Sequence, residues 1–160
     1  MTGKEIIEEL QLQEHPEGGY YRQTYRADER IQTKYEKTRH VSTAIYFLLQ
    51  DADRSLFHRI QSDELWFFHQ GDPLEIISIE HGAIRTVLLG NNIEGGEKPQ
   101  AIIPANTWFG ARRLVSEGYS LVSCTVAPGF DFEDFELAER DRLLIEFPHL
   151  KDIIQLFTSD

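Results

Sequence analysis

The chain has a single cysteine, Cys124, so no internal disulfide can form, and one thiol fits a reducing compartment. It has no apolar run approaching the ~18 residues of a membrane-spanning helix, which argues against a membrane partner. Positive charge is scarce. Against 27 Asp and Glu stand 16 Lys and Arg, for a net charge of −11 over 160 residues. Such a surface repels polyanions and argues against nucleic acid as a partner. The opening residues MTGKEIIEEL are too acidic and too poor in apolar side chains for a secretion signal, so a cytoplasmic location is expected. Cys124 alternates with Val122 and Val126, the pattern of a small buried strand residue rather than of a nucleophile.

What is present describes one globular domain, long enough to bury roughly 70% of its unfolded surface. Thr2 and Glu5 have the spacing of a capping box, and Ile6, Ile7 and Leu10 form one stripe, which predicts a helix over 3–11. His15-Pro-Glu-Gly-Gly19 breaks it, and Tyr20–Arg26 follows as an aromatic-rich strand. Residues 27–39 are polar, with no sustained period, and read as an open loop or a lid. From Val41 to Val126 short strands alternate with Gly, Asn, Asp and Pro turns, the pattern of an antiparallel sandwich or barrel. Phe130, Phe132 and Phe135 alternate with acidic residues as one more edge segment. Glu139–Phe147 is helical in pattern, and Leu150, Ile153, Ile154 and Phe157 make a second helical stripe. The expected fold is therefore all-β with short flanking helices. It is a single domain over 1–160, with a barrel over about 19–135 and C-terminal helices over about 137–157.

The stretch Ser55–Gly71 carries the candidate chemistry. It reads as two strands, Ser55–Ile60 and Glu64–His69, joined by the polar turn at Gln61–Asp63. Pairing Ile60 with Glu64 places His58 opposite Trp66 and all four side chains on one face. Phe57, Leu65, Phe67 and His69 then take the other. A histidine and a carboxylate on one face beside an aromatic ring form a plausible reactive centre; the alternative is a surface His and Glu on an exposed sheet.

With these residues in view, the chain resembles a cupin, and more narrowly a cupin family classed as a domain of unknown function. The resemblance rests on His15-Pro-Glu-Gly-Gly-Tyr20, Ser62-Asp-Glu-Leu-Trp66, Gly71-Asp-Pro-Leu74, Pro104-Ala-Asn-Thr-Trp-Phe109 and Ala127-Pro-Gly-Phe-Asp131, in family order. It implies a double-stranded β-helix, a jelly-roll barrel with a ligand pocket at its mouth. The general cupin pattern supplies metal ligands from His58, a second histidine, Glu64 and a third histidine. Ile60 and Phe109 stand where those two other histidines would be. Neither offers a lone pair, so no metal and no other cofactor is expected, with one divalent ion at His58 and Glu64 as the alternative.

Three functions remain open at this point. The resemblance implies that some cupins epimerise sugar substrates without metal through a histidine and a tyrosine. His58 and Glu64 would then be the acid–base pair, with Tyr46 or Tyr119 as proton donor. Alternatively His58, Glu64, Trp66, Trp108 and Phe109 hold a small polar ligand in a binding or sensing domain, or a metal enzyme is built on His58 and Glu64. The resemblance also implies a homodimer, for which Phe57, Leu65 and Phe67 are the candidate contact unless the terminal helices cover them. A light-scattering mass near 18.6 kDa would show a monomer instead.

Overall fold

Thr2 opens the first helix as expected. The Glu5 amide donates to Thr2 Oγ1 at 3.2 Å and the Thr2 amide to Glu5 Oε2 at 2.7 Å, so α1 spans Gly3–Glu9 in a computed structural model that describes residues 1–160. The strands, in chain order, are β1 (Gln13–Glu14), β2 (Tyr20–Arg26), β3 (Arg30–Gln32), β4 (Thr38–His40), β5 (Thr43–Gln50), β6 (Arg54–Arg59) and β7 (Asp63–Gly71). They continue with β8 (Leu74–Glu80), β9 (Ala83–Leu89), β10 (Gln100–Ile103), β11 (Trp108–Arg113), β12 (Tyr119–Ala127) and β13 (Glu136–Leu137). Helices α2 (Arg140–Glu146) and α3 (Lys151–Leu156) close the chain.

Two antiparallel sheets face each other. One runs β1-β2-β5-β12-β7-β10 and the other β13-β6-β11-β8-β9, while β3 and β4 form a separate hairpin. The mostly β jelly roll with short helices is the expected class. The interior between the sheets holds Phe47, Leu49, Trp66, Leu74, Leu89, Phe109 and Val122 among its buried side chains. The outer face of the five-stranded sheet is sealed by α2 and α3, with Phe57, Ile77, Ile79 and Trp108 packed on Leu143, Ile154 and Phe157. Helix α1 covers part of the other outer face through Ile6, Leu12, Leu48 and Leu121.

One expectation is overturned at the centre of the chain. Strands β6 and β7 do not form a hairpin: β6 pairs with β11 and β13, and β7 with β12 and β10. The turn between them is a corner that carries the chain from one sheet to the other. The 104–107 turn supplies the polar partners there: the Asn106 amide donates to the Ile60 carbonyl at 2.8 Å and the Ala105 amide to Asp63 Oδ1 at 2.8 Å. His58 and Glu64 therefore face each other across the sandwich rather than sharing one sheet. The expected loop over 27–39 is the β3–β4 hairpin. Phe57, expected either to contact a second copy or to be covered by the terminal helices, is covered: it stacks on Phe157 at 5.2 Å between ring centres and is fully buried.

Candidate functional site

The segment between α1 and β2 brings the first acid into the barrel. Gly18 and Gly19 have φ of 104° and 76°, a region that favours glycine. A Cβ on Gly18 would sit 2.1 Å from the Arg54 carbonyl oxygen, so only glycine permits this approach to β6. The Leu56 amide then donates to the Glu17 carbonyl at 2.7 Å, and the Glu17 side chain is directed between the sheets.

There it meets His58. Glu17 Oε2 lies 2.8 Å from His58 Nε2, and the other ring nitrogen, Nδ1, lies 2.7 Å from the Leu56 carbonyl oxygen. A carbonyl only accepts, and an unprotonated nitrogen would be repelled by a carboxylate at that distance, so both ring nitrogens carry protons and His58 is an imidazolium. Burial by itself would push its pKa down, but Glu17, with help from Glu64, more than reverses this and the pKa is raised. Burial would push Glu17 up, and His58 more than offsets it, leaving the carboxyl below its ordinary range. With both N–H groups committed, His58 is a fixed positive charge rather than the free base expected of it.

Glu64 behaves differently. It is only 8% exposed, and burial pushes its pKa up to about 7 although the His58 charge opposes the rise. The Cys124 thiol and the Trp66 indole lie beside it as weak donors and offset a little of the rise. Burial, then Glu64, hold the Cys124 thiol well above its usual pKa, so it stays neutral as the strand pattern implied. His15 Nδ1 accepts from the Glu17 amide at 3.1 Å. Burial lowers its pKa more than Glu17 raises it. His15 is therefore neutral, with its proton on Nε2.

These groups floor a cavity of about 370 Å³, within the range of small-ligand sites. Ile45, Ile60 and Val126 give it apolar walls, and Gln13, Gln23 and Thr43 add polar ones. One side is built from the segment after β12. The Gly129 amide donates to the His40 carbonyl at 2.7 Å and the Phe130 amide to Thr43 Oγ1 at 2.9 Å, which lays Phe130, Phe132 and Phe135 along the opening. The β3–β4 hairpin holds this wall. Arg39 Nε donates to Asp134 Oδ2 at 2.8 Å and Lys37 Nζ to Asp134 Oδ1 at 3.0 Å. Phe135 also stacks on His58 at 5.5 Å between ring centres.

Of the residues expected at the site, His58 and Glu64 reach the cavity. Trp66 and Phe109 lie in the packed interior next to it, the Phe109 ring centre 4.2 Å from that of His58. Trp108 does not join them: it faces outward under the C-terminal helices, with the Arg59 guanidinium 4.2 Å over its ring. Tyr46 and Tyr119 pack on the outer side with Ile6 and Leu12, and Tyr119 Oη accepts from Gln70 Nε2 at 2.8 Å. Neither can give a proton to a molecule in the cavity, whereas Tyr21 lines it. Glu17, His15, Tyr21 and the three phenylalanines are functional candidates that the sequence reading passed over. Glu17 and His15 lie in the His15–Tyr20 motif already singled out, and the phenylalanines lie in or just after the Ala127–Asp131 motif.

The model of the family described as the cupin superfamily (DUF985) matches residues 4–138. The chain belongs to this cupin family. Its fold agrees with a hypothetical protein from Leishmania major, at 35% identity, with all of both chains covered and a TM-score of 0.96. It also agrees with protein SO0799 from Shewanella oneidensis, at 38% identity over 99% of this chain and 98% of that one, with a TM-score of 0.90. It is also similar to the uncharacterized protein YML079W of Saccharomyces cerevisiae, 28% identical over 82% of this chain and 72% of that one. More distant cupins such as the oxalate decarboxylase of Bacillus subtilis share the fold alone, at 12% identity and a TM-score of 0.53.

Cupins often hold a divalent metal, and the residues of this cavity do not fit one. Ile60 lines the site where a ligand would be needed, Phe109 packs on His58, and both nitrogens of His58 are occupied. No three His, Cys, Asp or Glu side chains are grouped as ligands.

Proposed function

We propose that this cupin binds a small polar molecule in the cavity and moves a proton on it, in the manner of a metal-independent isomerase or epimerase. Glu64 is the exchanging group. The His58–Glu17 pair is the fixed dipole beside it, and Tyr21 is the candidate donor from another wall. The observation that carries this reading is a buried carboxyl with a pKa of about 7 and no ion-pair partner at bonding distance, lining a ligand-sized cavity. A group poised there takes and returns protons at neutral pH with little driving force lost in either direction.

The test begins with a thermal-shift screen of sugar nucleotides, amino acids, amines and organic acids. Each hit is then incubated in D₂O and followed by proton NMR for loss of a C–H signal. Wild-type protein is expected to exchange deuterium into one position of its ligand, with a pH profile that rises near 7, and Glu64→Gln to lose this exchange by about 10²-fold or more. A ligand that binds tightly but neither exchanges nor turns over would make the protein a binding or sensing domain instead.

A further inference from the structure

None of the side chains that wall the cavity is lysine or arginine, and three are carboxylic acids: Glu17 and Glu64 on the floor and Asp131 toward the opening. Its one positive charge, on His58, is already matched by Glu17 at 2.8 Å. A small carboxylate or phosphate would therefore meet no unpaired cation, and would approach a chain of net charge −11. Four aromatic rings share the same space, those of Tyr21, Phe130, Phe132 and Phe135. Their faces are electron-rich and attract positive charge, most strongly where water is excluded. Glu64 is more than nine-tenths buried and lines this space with no cationic side chain paired to it at bonding distance. Resting on the acid–base reading above, we infer that the molecule taken here is a small organic cation, an ammonium or related onium group, seated against Glu64 and ringed by Tyr21, Phe130, Phe132 and Phe135.

The assignment has a consequence for the proton. A cation beside Glu64 favours its carboxylate form, so binding must expel the Glu64 proton. The groups that face Glu64 cannot take it up. Cys124 on β12 is a neutral thiol, Glu17 is held ionised by His58, and His58 on β6 already carries both its protons. His15 beside Glu17 has its pKa lowered by burial, and an added positive charge lowers it further. The proton goes to solvent, and ligand binding raises the share of Glu64 that is the carboxylate base.

Titration calorimetry near pH 7 with three probes of one shape decides the matter: choline, the uncharged 3,3-dimethylbutan-1-ol, and the anion 3,3-dimethylbutanoate. Repeating each titration in buffers of different ionisation enthalpy gives the protons exchanged. We expect choline to bind about tenfold or more tightly than the alcohol, the anion to give no heat, and choline alone to release protons. Glu64→Gln should bring choline to within about threefold of the alcohol and abolish the release. Equal affinity for choline and the alcohol, tighter binding of the anion, proton uptake, or no choline binding at millimolar concentration would each overturn the inference. The two readings fail separately. A neutral or anionic ligand whose deuterium exchange still requires Glu64 removes the cation and leaves the acid–base chemistry. Choline binding with proton release, but no exchange on any ligand, does the reverse.

Discussion

The same strands build both ends of the sandwich interior, and the two ends hold opposite kinds of side chain. On β5, Phe47 and Leu49 lie in the dry end while Thr43 and Ile45 line the cavity; on β7, Trp66 is packed inside and Glu64, two residues earlier, is ionisable. The dry end is filled by Leu49, Leu74, Leu89 and Ala111, all at 0% exposure. Its stability comes from excluded water and close packing, which do not depend on pH. At the cavity end burial works against the groups present: Glu17 and His58 are made tolerable by their opposite charges and Glu64 by holding its proton. The contrast indicates that the cavity end is shaped for chemistry, and that its stability should vary with pH where that of the dry end does not.

The largest effect is expected from Glu17→Gln, which leaves the His58 imidazolium buried without its counter-charge. Urea unfolding should show a loss of about 3–5 kcal/mol. Glu17 has a lowered folded pKa, so its contribution is present above its unfolded value near ~4.3 and lost as pH falls through the folded one. His58 has a raised folded pKa, so its contribution is complete below ~6.5 and lost as pH rises through the folded one. The loss should therefore be greatest between these two values. A loss under about 1 kcal/mol at pH ~5.5 would mean that the pair is a surface-like contact and that the contrast between the two ends is overstated.

A smaller effect of opposite sign is expected from Glu64→Gln. Glu64 has its folded pKa raised to about 7, so the wild-type protein loses stability as pH climbs from the ordinary carboxyl range through that value. The amide does not ionise. The variant should match wild type near pH 4 and exceed it by up to about 3 kcal/mol near pH 9, while losing the proton chemistry. Equal stabilities across that range would show that Glu64 is not held protonated by its burial.

The smallest change in stability, about 1 kcal/mol, is expected from Arg39→Ala, since Lys37 remains to pair with Asp134. Its effect should instead be local. Amide hydrogen exchange at residues 130–135 is expected to accelerate about tenfold, while amides beside Leu49 and Val122 keep their protection. Uniform acceleration through the barrel would show that the aromatic wall is not a separately held element.

Much of this was legible from alternation alone. Within each strand alternation holds whatever the strand pairs with, so Ile60 follows His58 inward and Trp66 follows Glu64, whereas the common face of the two strands was read from a hairpin that does not form. The partner itself was misread, since Gln61–Asp63 has the composition of a hairpin turn and sequence cannot show that the 104–107 turn takes the Ile60 carbonyl and the Asp63 carboxylate. Trp108 and Phe109 are adjacent strand residues, so only one of them could face the interior, and the structure chose Phe109. Tyr46 sits between Ile45 and Phe47, which gives no contrast from which to read its face. Glu17 was hidden for another reason: a Pro-Glu-Gly-Gly run has no period, and its meaning lies in the close contact with Arg54 that its glycines allow. The pairing of Arg39 with Asp134 joins residues too distant in sequence for any local pattern to reveal.

The wall made by Phe130, Phe132 and Phe135 has a consequence for how the protein comes into being. On a ribosome the Glu17 segment emerges early, and β6 and β7 soon after, so the acids and the imidazole are present while the nascent barrel still lacks its aromatic side and β12. Without β12, which pairs with both β5 and β7, the larger sheet is not joined and the cavity lacks the wall that Cys124 and Val126 supply. The cavity becomes a closed pocket only when the stretch that carries Asp134 appears and is captured by Arg39 and Lys37, long after most of the molecule has been made.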